Sequence, residues 1–498
     1  MAPFGRCVLA GLAALVVASS PSSVVRPNVL QFAAEPASDI QLGDVSLLQA
    51  TWHVPIPEQS DGAPLFVSSV DVGGTSRDLL IVETNQGQVV ALDSVTGQTL
   101  WQTTQPLGVR WTTSTPAIDP QRQFVYAYCL DGYIHKYAIV DGSEATGGGW
   151  PQLVTTKTDV EKGSSAIRIA TAGNGHTYLY MPTAAYPDPG DAGDYQGHVT
   201  SIDLGQGDQW VFNAACSDKS FHLLPTLDEN DCDQQQSGIW ARAGVVYDPS
   251  LDRIFVTVGN GVYDASSGGF NWGSSVVALK PDGSTEDGVP LDSYTPAEFQ
   301  QLTDQDLDLS ASAVEILPAG TSDTYPHLGV QIGKDGVLRL LNLADLSGQG
   351  GPRHIGGELA KLQGLPWVLT RPVAWRNPAS GITSIFVTNS QALLAFDLVV
   401  HADRTMGFVQ TWSVNNGGTS PVLANGVLYY AAENHLYGVD ASSGEVLWQD
   451  NQIGPVHWQT PIIAGSSLFI CDGSHQVWRY DLSHPTTRLR HRPISRNP

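Results

Sequence analysis

The chain has 498 residues, with 25 Lys plus Arg against 49 Asp plus Glu, a formal charge of −24. So negative a balance repels nucleic acid and anionic membrane surfaces. Only 15% of residues are charged while 51 are Gly and 31 Pro, which excludes a coiled coil and polyelectrolyte disorder and favours a turn-rich β fold.

The N-terminus reads as a secretory signal over residues 1–18. Arg6 precedes an apolar run, Val8 to Ala18, that is too short to span a bilayer, and Val16 and Ala18 offer a small-residue cleavage site before Ser19. Residues 19–45 read as a flexible leader. The expectation is an exported protein, periplasmic or extracellular, without membrane insertion. Export permits disulfides. Cys216 and Cys232 flank a polar, Asp-rich loop and are the pair placed for one, though from sequence the bond stays open. Cys129 and Cys471 sit at equivalent places in two repeats and read as buried thiols.

The next segment, Leu47 to Val54 (LLQATWHV), alternates like a strand but has no unit of its own. Self-similar units then follow. Leu79 to Trp101 reads LLIVETNQGQVVALDSVTGQTLW, and Val427 to Trp448 reads VLYYAAENHLYGVDASSGEVLW. In both, strand, turn and strand lead to an Asp (Asp93, Asp440), then a Gly (Gly97, Gly444), then a Trp (Trp101, Trp448). Weaker copies start at Phe124, Gly197, Ser274, Lys334, Ser384 and Ser467, which makes eight. Further strands such as TSTPAIDP from Thr113 open the units. Units of three or four short strands that cannot bury both faces alone predict propeller blades. The fold expected is all-β: a single eight-bladed β-propeller over residues 46–484, its ring closed when the N-terminal strand completes the last blade and removes an open edge. Residues 485–498 read as a disordered basic tail.

Long inserts fall at Ala184–Gln196, Cys216–Ser237, Val262–Gly273 and Thr285–Asp308, in the third to fifth units. Long loops on a rigid ring usually carry function. One short helix is expected in TPAEFQQLTDQDLD, where Thr295-Pro296 is a helix start. No HExxH, GxSxG, phosphate-binding loop or CxxCH haem motif occurs, so zinc protease, serine hydrolase, kinase and c-type haem chemistry lack support.

The AxDxxTGxxxW unit, Ala91 through Trp101 and again around Asp440, Gly444 and Trp448, resembles the blade-docking repeat of pyrroloquinoline quinone (PQQ) proteins. The resemblance implies a quinoprotein-type propeller. In that family's enzymes calcium polarises the quinone, an Asp takes the alcohol proton, and hydride passes to PQQ. Four stretches resemble its site in order and rough spacing. VTVGNG implies Asn260 as a calcium ligand, and LDLSA implies Asp308 as base and metal neighbour. GKDG implies Lys334 on the quinone oxygens, and IWARAGVVYDP implies Trp240 as the ring under the cofactor. The family's third calcium ligand, a Glu, is missing, and only Asp191 and Asp194 are near. The adjacent cysteines that often cap the quinone are absent too.

Each residue also has a plain structural reading. Asn260 is a turn residue between two glycines, Lys334 a hairpin-turn lysine, and Trp240 a packing residue. Asp308 follows Asp304 and Asp306, and such clustered carboxylates invite a cation or a raised pKa. The leading expectation is therefore a secreted quinoprotein-like oxidoreductase acting on an alcohol or sugar-like substrate, with PQQ, calcium and an external electron acceptor. The alternative is a non-catalytic exported propeller that binds a protein or glycan. A third reading, structural calcium binding, rests on the loop Asp188–Asp194, which lacks EF-hand spacing.

Overall fold

A computed structural model describes residues 38–105, 110–186, 194–223, 232–401 and 403–483. The expected signal segment and basic tail lie outside them. Eight antiparallel sheets follow one another along the chain. Blades 1 to 7 occupy residues 65–102, 117–153, 161–213, 246–294, 315–362, 373–414 and 422–450. Blade 8 combines residues 462–482 with the early strand Leu48–Pro55, which pairs in register with Gln476–Leu482. The ring closes as expected. Seven sheets have four strands. Blade 3 has five because its inner edge is split into Glu161–Gly163 and Arg168–Thr171, both pairing with Thr177–Ala185.

Eight apolar clusters fill the gaps between successive blades, including the gap between blades 8 and 1. Alternation explains this: each strand sends successive side chains to opposite sheet faces, and in a stacked ring both faces are interior. Burying both faces makes the inner strands read as apolar runs, such as Leu79 to Val82.

The repeat motif has a direct physical basis. Asp93 Oδ1 accepts the N–H groups of Val95 (3.1 Å) and Thr96 (2.9 Å), which caps the turn. The Trp ending one blade's outer strand then docks on the following blade. Trp52, Trp101 and Trp412 donate their indole N–H to the carbonyls of Val95 (3.1 Å), Ile139 (3.0 Å) and Ala441 (3.3 Å). Gly142 lies under Trp101 at φ 71°, and a Cβ there would fall 2.5 Å from the indole ring. Only glycine fits both the conformation and the contact.

Cys216 and Cys232 are disulfide-bonded, while Cys129 and Cys471 are free and buried. The expected helix spans Phe299–Asp304 and lies between blades 4 and 5. The leader, expected to be flexible to residue 45, is packed from Ser38 onward. Asp39 N–H donates to Gly465 O (2.8 Å), and Ile40 and Val45 are fully buried in the cluster between blades 7 and 8. No helix among the described residues is long and apolar enough to cross a membrane.

Candidate active site

On one face of the ring, segments that lead into inner strands meet turns that join second and third strands. They enclose a cavity of about 730 Å³. Thr113, Ser164, Trp240, Ala311, Leu369 and Trp458 reach it from blades 2, 3, 4, 5, 6 and 8, which places it on the ring axis. Trp240, Asp308 and Lys334 all line it. Three residues singled out from separate stretches of sequence are thus brought to one cavity.

Asp308 is 3% exposed. Its Oδ2 accepts from Lys334 Nζ at 2.5 Å, and its Oδ1 accepts the N–H of Asn260 at 3.1 Å. Its carbonyl accepts the Lys334 N–H at 3.1 Å, so backbone and side chain clamp the pair together. A Cβ on Gly259 would fall 2.7 Å from Asp308 Oδ1, so the glycine before Asn260 lets the carboxylate approach. The helix Phe299–Asp304 sets the preceding turn. Thr303 Oγ1 donates to Gly261 O (3.1 Å), and Asp306, at φ 54°, accepts from Asn260 Nδ2 (2.9 Å) and Lys334 Nζ (3.2 Å). Burial pushes the Asp308 carboxyl above its usual range despite Lys334, whereas the two aspartates raise Lys334 against its own burial.

Around this pair stand rings and further cations. Trp240 meets Tyr195 edge-on at 6.3 Å, and the Arg242 guanidinium lies 4.0 Å over the Trp458 ring. Burial, partly opposed by Asp61, lowers Arg242 to about 10. Three basic side chains, Lys162, Arg242 and Lys334, share the wall with two acids, Asp306 and Asp308, a concentration of basic groups in a chain of charge −24. That contrast points to an anionic ligand, and the rings point to a flat one.

A family model described as "PQQ: Glucose/ethanol/alcohol dehydrogenase, beta-propeller domain" matches residues 31–285, just over half of the chain. The chain belongs to this family. No curated protein sequence matches it. Among solved structures it is similar to the quinohemoprotein alcohol dehydrogenase of Comamonas testosteroni, at 13% identity and TM-score 0.60 over 91% of this chain and 79% of that one. It is also similar to the quinohemoprotein alcohol dehydrogenase ADHIIG of Pseudomonas putida HK5, at 14% identity and TM-score 0.57 over 91% and 80%. A europium-containing methanol dehydrogenase matches at 14% identity and TM-score 0.58 over 90% and 95%. At such identities the likeness establishes the eight-bladed fold alone.

The PQQ family implies two groups, and the residues present suit them differently. PQQ is a flat aromatic tricarboxylate, and the cavity offers Trp240, Trp111 and Trp458 for its faces and cations for its acids. That is a fit. Calcium takes six to eight oxygen ligands, carboxylates among them. Asn260 Oδ1 is buried without a hydrogen-bond partner and could face a cation, beside the Asp308 carboxylate. The remaining expected ligand is elsewhere. Asp194 does not line the cavity, and its carbonyl (2.9 Å) and Oδ1 (3.4 Å) accept from buried Lys157. Asp191 lies outside the described residues. Among the described residues no group of three His, Cys, Asp or Glu could hold a metal ion. Among the described residues only Asn260 Oδ1 and the Asp308 carboxylate are thus placed for calcium, fewer than the six to eight oxygens it takes.

Sequence reading missed Trp111, Lys162, Arg242, His457 and Trp458. A signal for most of them exists. Arg110-Trp111 and His457-Trp458 are each a basic residue and Trp in a Thr-Pro stretch, RWTTSTP and HWQTP, shortly ahead of an inner strand, and Arg242 follows Trp240 by two residues.

Proposed function

We propose that this chain is an exported PQQ-dependent oxidoreductase that takes two electrons and two protons from an alcohol, as a hydride and the hydroxyl proton. The observation that carries the reading is the convergence of Trp240, Asp308 and Lys334 in one ring-lined axial cavity rich in basic groups. When bound, PQQ supplies a two-electron acceptor that the protein's own side chains lack.

The chain's residues would bind, orient and move a proton. Trp240 offers a ring face that holds a flat ligand in one plane. Arg242 and Lys334 offer donors to carboxylate or carbonyl oxygens. Asp308 is the proton acceptor: its charge is poorly solvated, so gaining a proton relieves the cost of burial. Lys334 holds one carboxylate oxygen and the Asn260 N–H the other, which fixes the carboxylate's orientation for an incoming hydroxyl. Lys334 is the cation nearest Asp308 and the group placed to stabilise negative charge on an acceptor oxygen.

Titrating the protein with PQQ and following tryptophan fluorescence tests the reading. Saturable quenching, weakened by both Asp308→Ala and Lys334→Ala, with dye-coupled alcohol oxidation lost in Asp308→Ala, is the expected result. Folded protein that shows no saturable quenching would overturn it and favour the binding-scaffold alternative.

A further inference from the structure

Lys162 has no assigned role in the proton transfer above. It lies in the inner-strand segment Glu161–Gly163 of blade 3, lines the axial cavity and is 2% exposed. Its ammonium nitrogen lies 5.2 Å from the centre of the Trp111 ring and 5.1 Å from that of Tyr186. Among the described residues nothing accepts a hydrogen bond from it. The other buried lysine ammoniums are held differently. Lys157 donates to Asp194 and Gln196, and Lys334 donates to two carboxylates. Two aromatic faces partly offset the cost of burying a charge, but they do not replace an anion. Burial first, and the like charge of Arg242 second, push Lys162 down to about 7, with Asp61 opposing. A large share of molecules therefore carries a neutral amine near pH 7, whereas an ordinary lysine is almost wholly protonated there.

We propose that Lys162 is a nucleophile that forms an imine with a carbonyl group of an anionic aromatic ligand in the axial cavity. The same rings and the Arg242 guanidinium that suit a flat acid would bring such a ligand beside the amine. The step balances without a redox partner. The Nζ lone pair adds to the carbonyl carbon, a C–N bond forms, the C=O π pair goes to oxygen, and one amine proton moves to that oxygen to make a hydroxyl. The nitrogen lone pair then forms the C=N bond as the C–O bond breaks, the hydroxyl leaves as water with the second amine proton, and amine plus carbonyl has become imine plus water. His457 lines the cavity with its side chain 56% exposed, so water and protons can exchange with solvent at that rim.

Pyridoxal 5′-phosphate, an aromatic aldehyde with an anionic group, is the probe. The protein is incubated with it across a pH series, reduced with borohydride, digested and mapped by mass spectrometry. At pH 7 Lys162 should label at least ~10-fold faster than exposed Lys280, with a labelling midpoint near the Lys162 value. Lys162→Arg should abolish that adduct, and Arg242→Met should move the midpoint upward because a repelling charge is gone. Labelling of Lys162 at the Lys280 rate, or no adduct on Lys162, overturns the proposal. The unaltered protein gives this answer even if a variant does not fold. None of these readouts depends on PQQ, so the assignment of Lys162 and the quinone reading can fail separately.

Discussion

Glu83→Gln should stabilise the folded chain at neutral and alkaline pH. Glu83 ends the strand Thr75–Glu83 of blade 1, is 2% exposed, and has no hydrogen-bond partner on either carboxyl oxygen. Burial pushes its pKa well above the ordinary 4.5. A carboxyl raised in the fold holds its proton there while the unfolded chain releases it. Its stabilising contribution is complete below pH 4.5 and is lost as pH rises toward the folded pKa. Within that window the loss is about 1.4 kcal/mol per pH unit. Glutamine has nearly the same shape and no proton to lose, so the variant escapes this slope. Urea unfolding of both proteins at several pH values between about 5 and 8 checks it, because other buried acids contribute equally to each. The stability gap should widen with pH by up to about 1.4 kcal/mol per unit. Parallel profiles would refute the reasoning and mean that Glu83 is ionised at no cost.

Asp308→Asn should abolish dye-coupled alcohol oxidation and lower the urea midpoint at pH 7, because Asn keeps an acceptor for the Asn260 N–H but leaves the Lys334 ammonium without its closest counter-charge. An unchanged or raised urea midpoint at pH 7 would count against this. Gly142→Ala should cost more than Gly148→Ala in thermal unfolding. Both have left-handed φ, 71° and 59°, which costs about 1–2 kcal/mol for an L-residue. Only the Gly142 methyl meets the Trp101 ring, whereas nothing lies within 4 Å at Gly148. Reducing the Cys216–Cys232 bond, which spans 16 residues, should lower the midpoint by the equivalent of about 3 kcal/mol. Thiol titration of the native protein should find Cys129 and Cys471 unreactive, since burial raises both thiols.

The architecture was legible in the sequence because its signals are local and repeated. Asp93, Gly97 and Trp101 each act within one turn or on the adjoining blade, so the motif must recur wherever a blade docks. The strand Leu48–Pro55 announced ring closure by having alternation but no unit of its own. Asp308, Asn260, Lys334 and Trp240 were found because each sits in a short stretch resembling the PQQ family's site.

Only the closed ring decided the rest. Lys162, Arg242 and Trp458 come from blades 3, 4 and 8, and no local pattern says that their side chains share a cavity. Asp194 looked like a calcium ligand by its place in the chain, but the fold set buried Lys157 against it. Local sequence determines turns, strands and docking contacts, since these depend on neighbours a few residues apart. Which charges face one another across the axis depends on how eight blades close, and that also set the proton affinities of Glu83, Lys162 and Asp308 through burial.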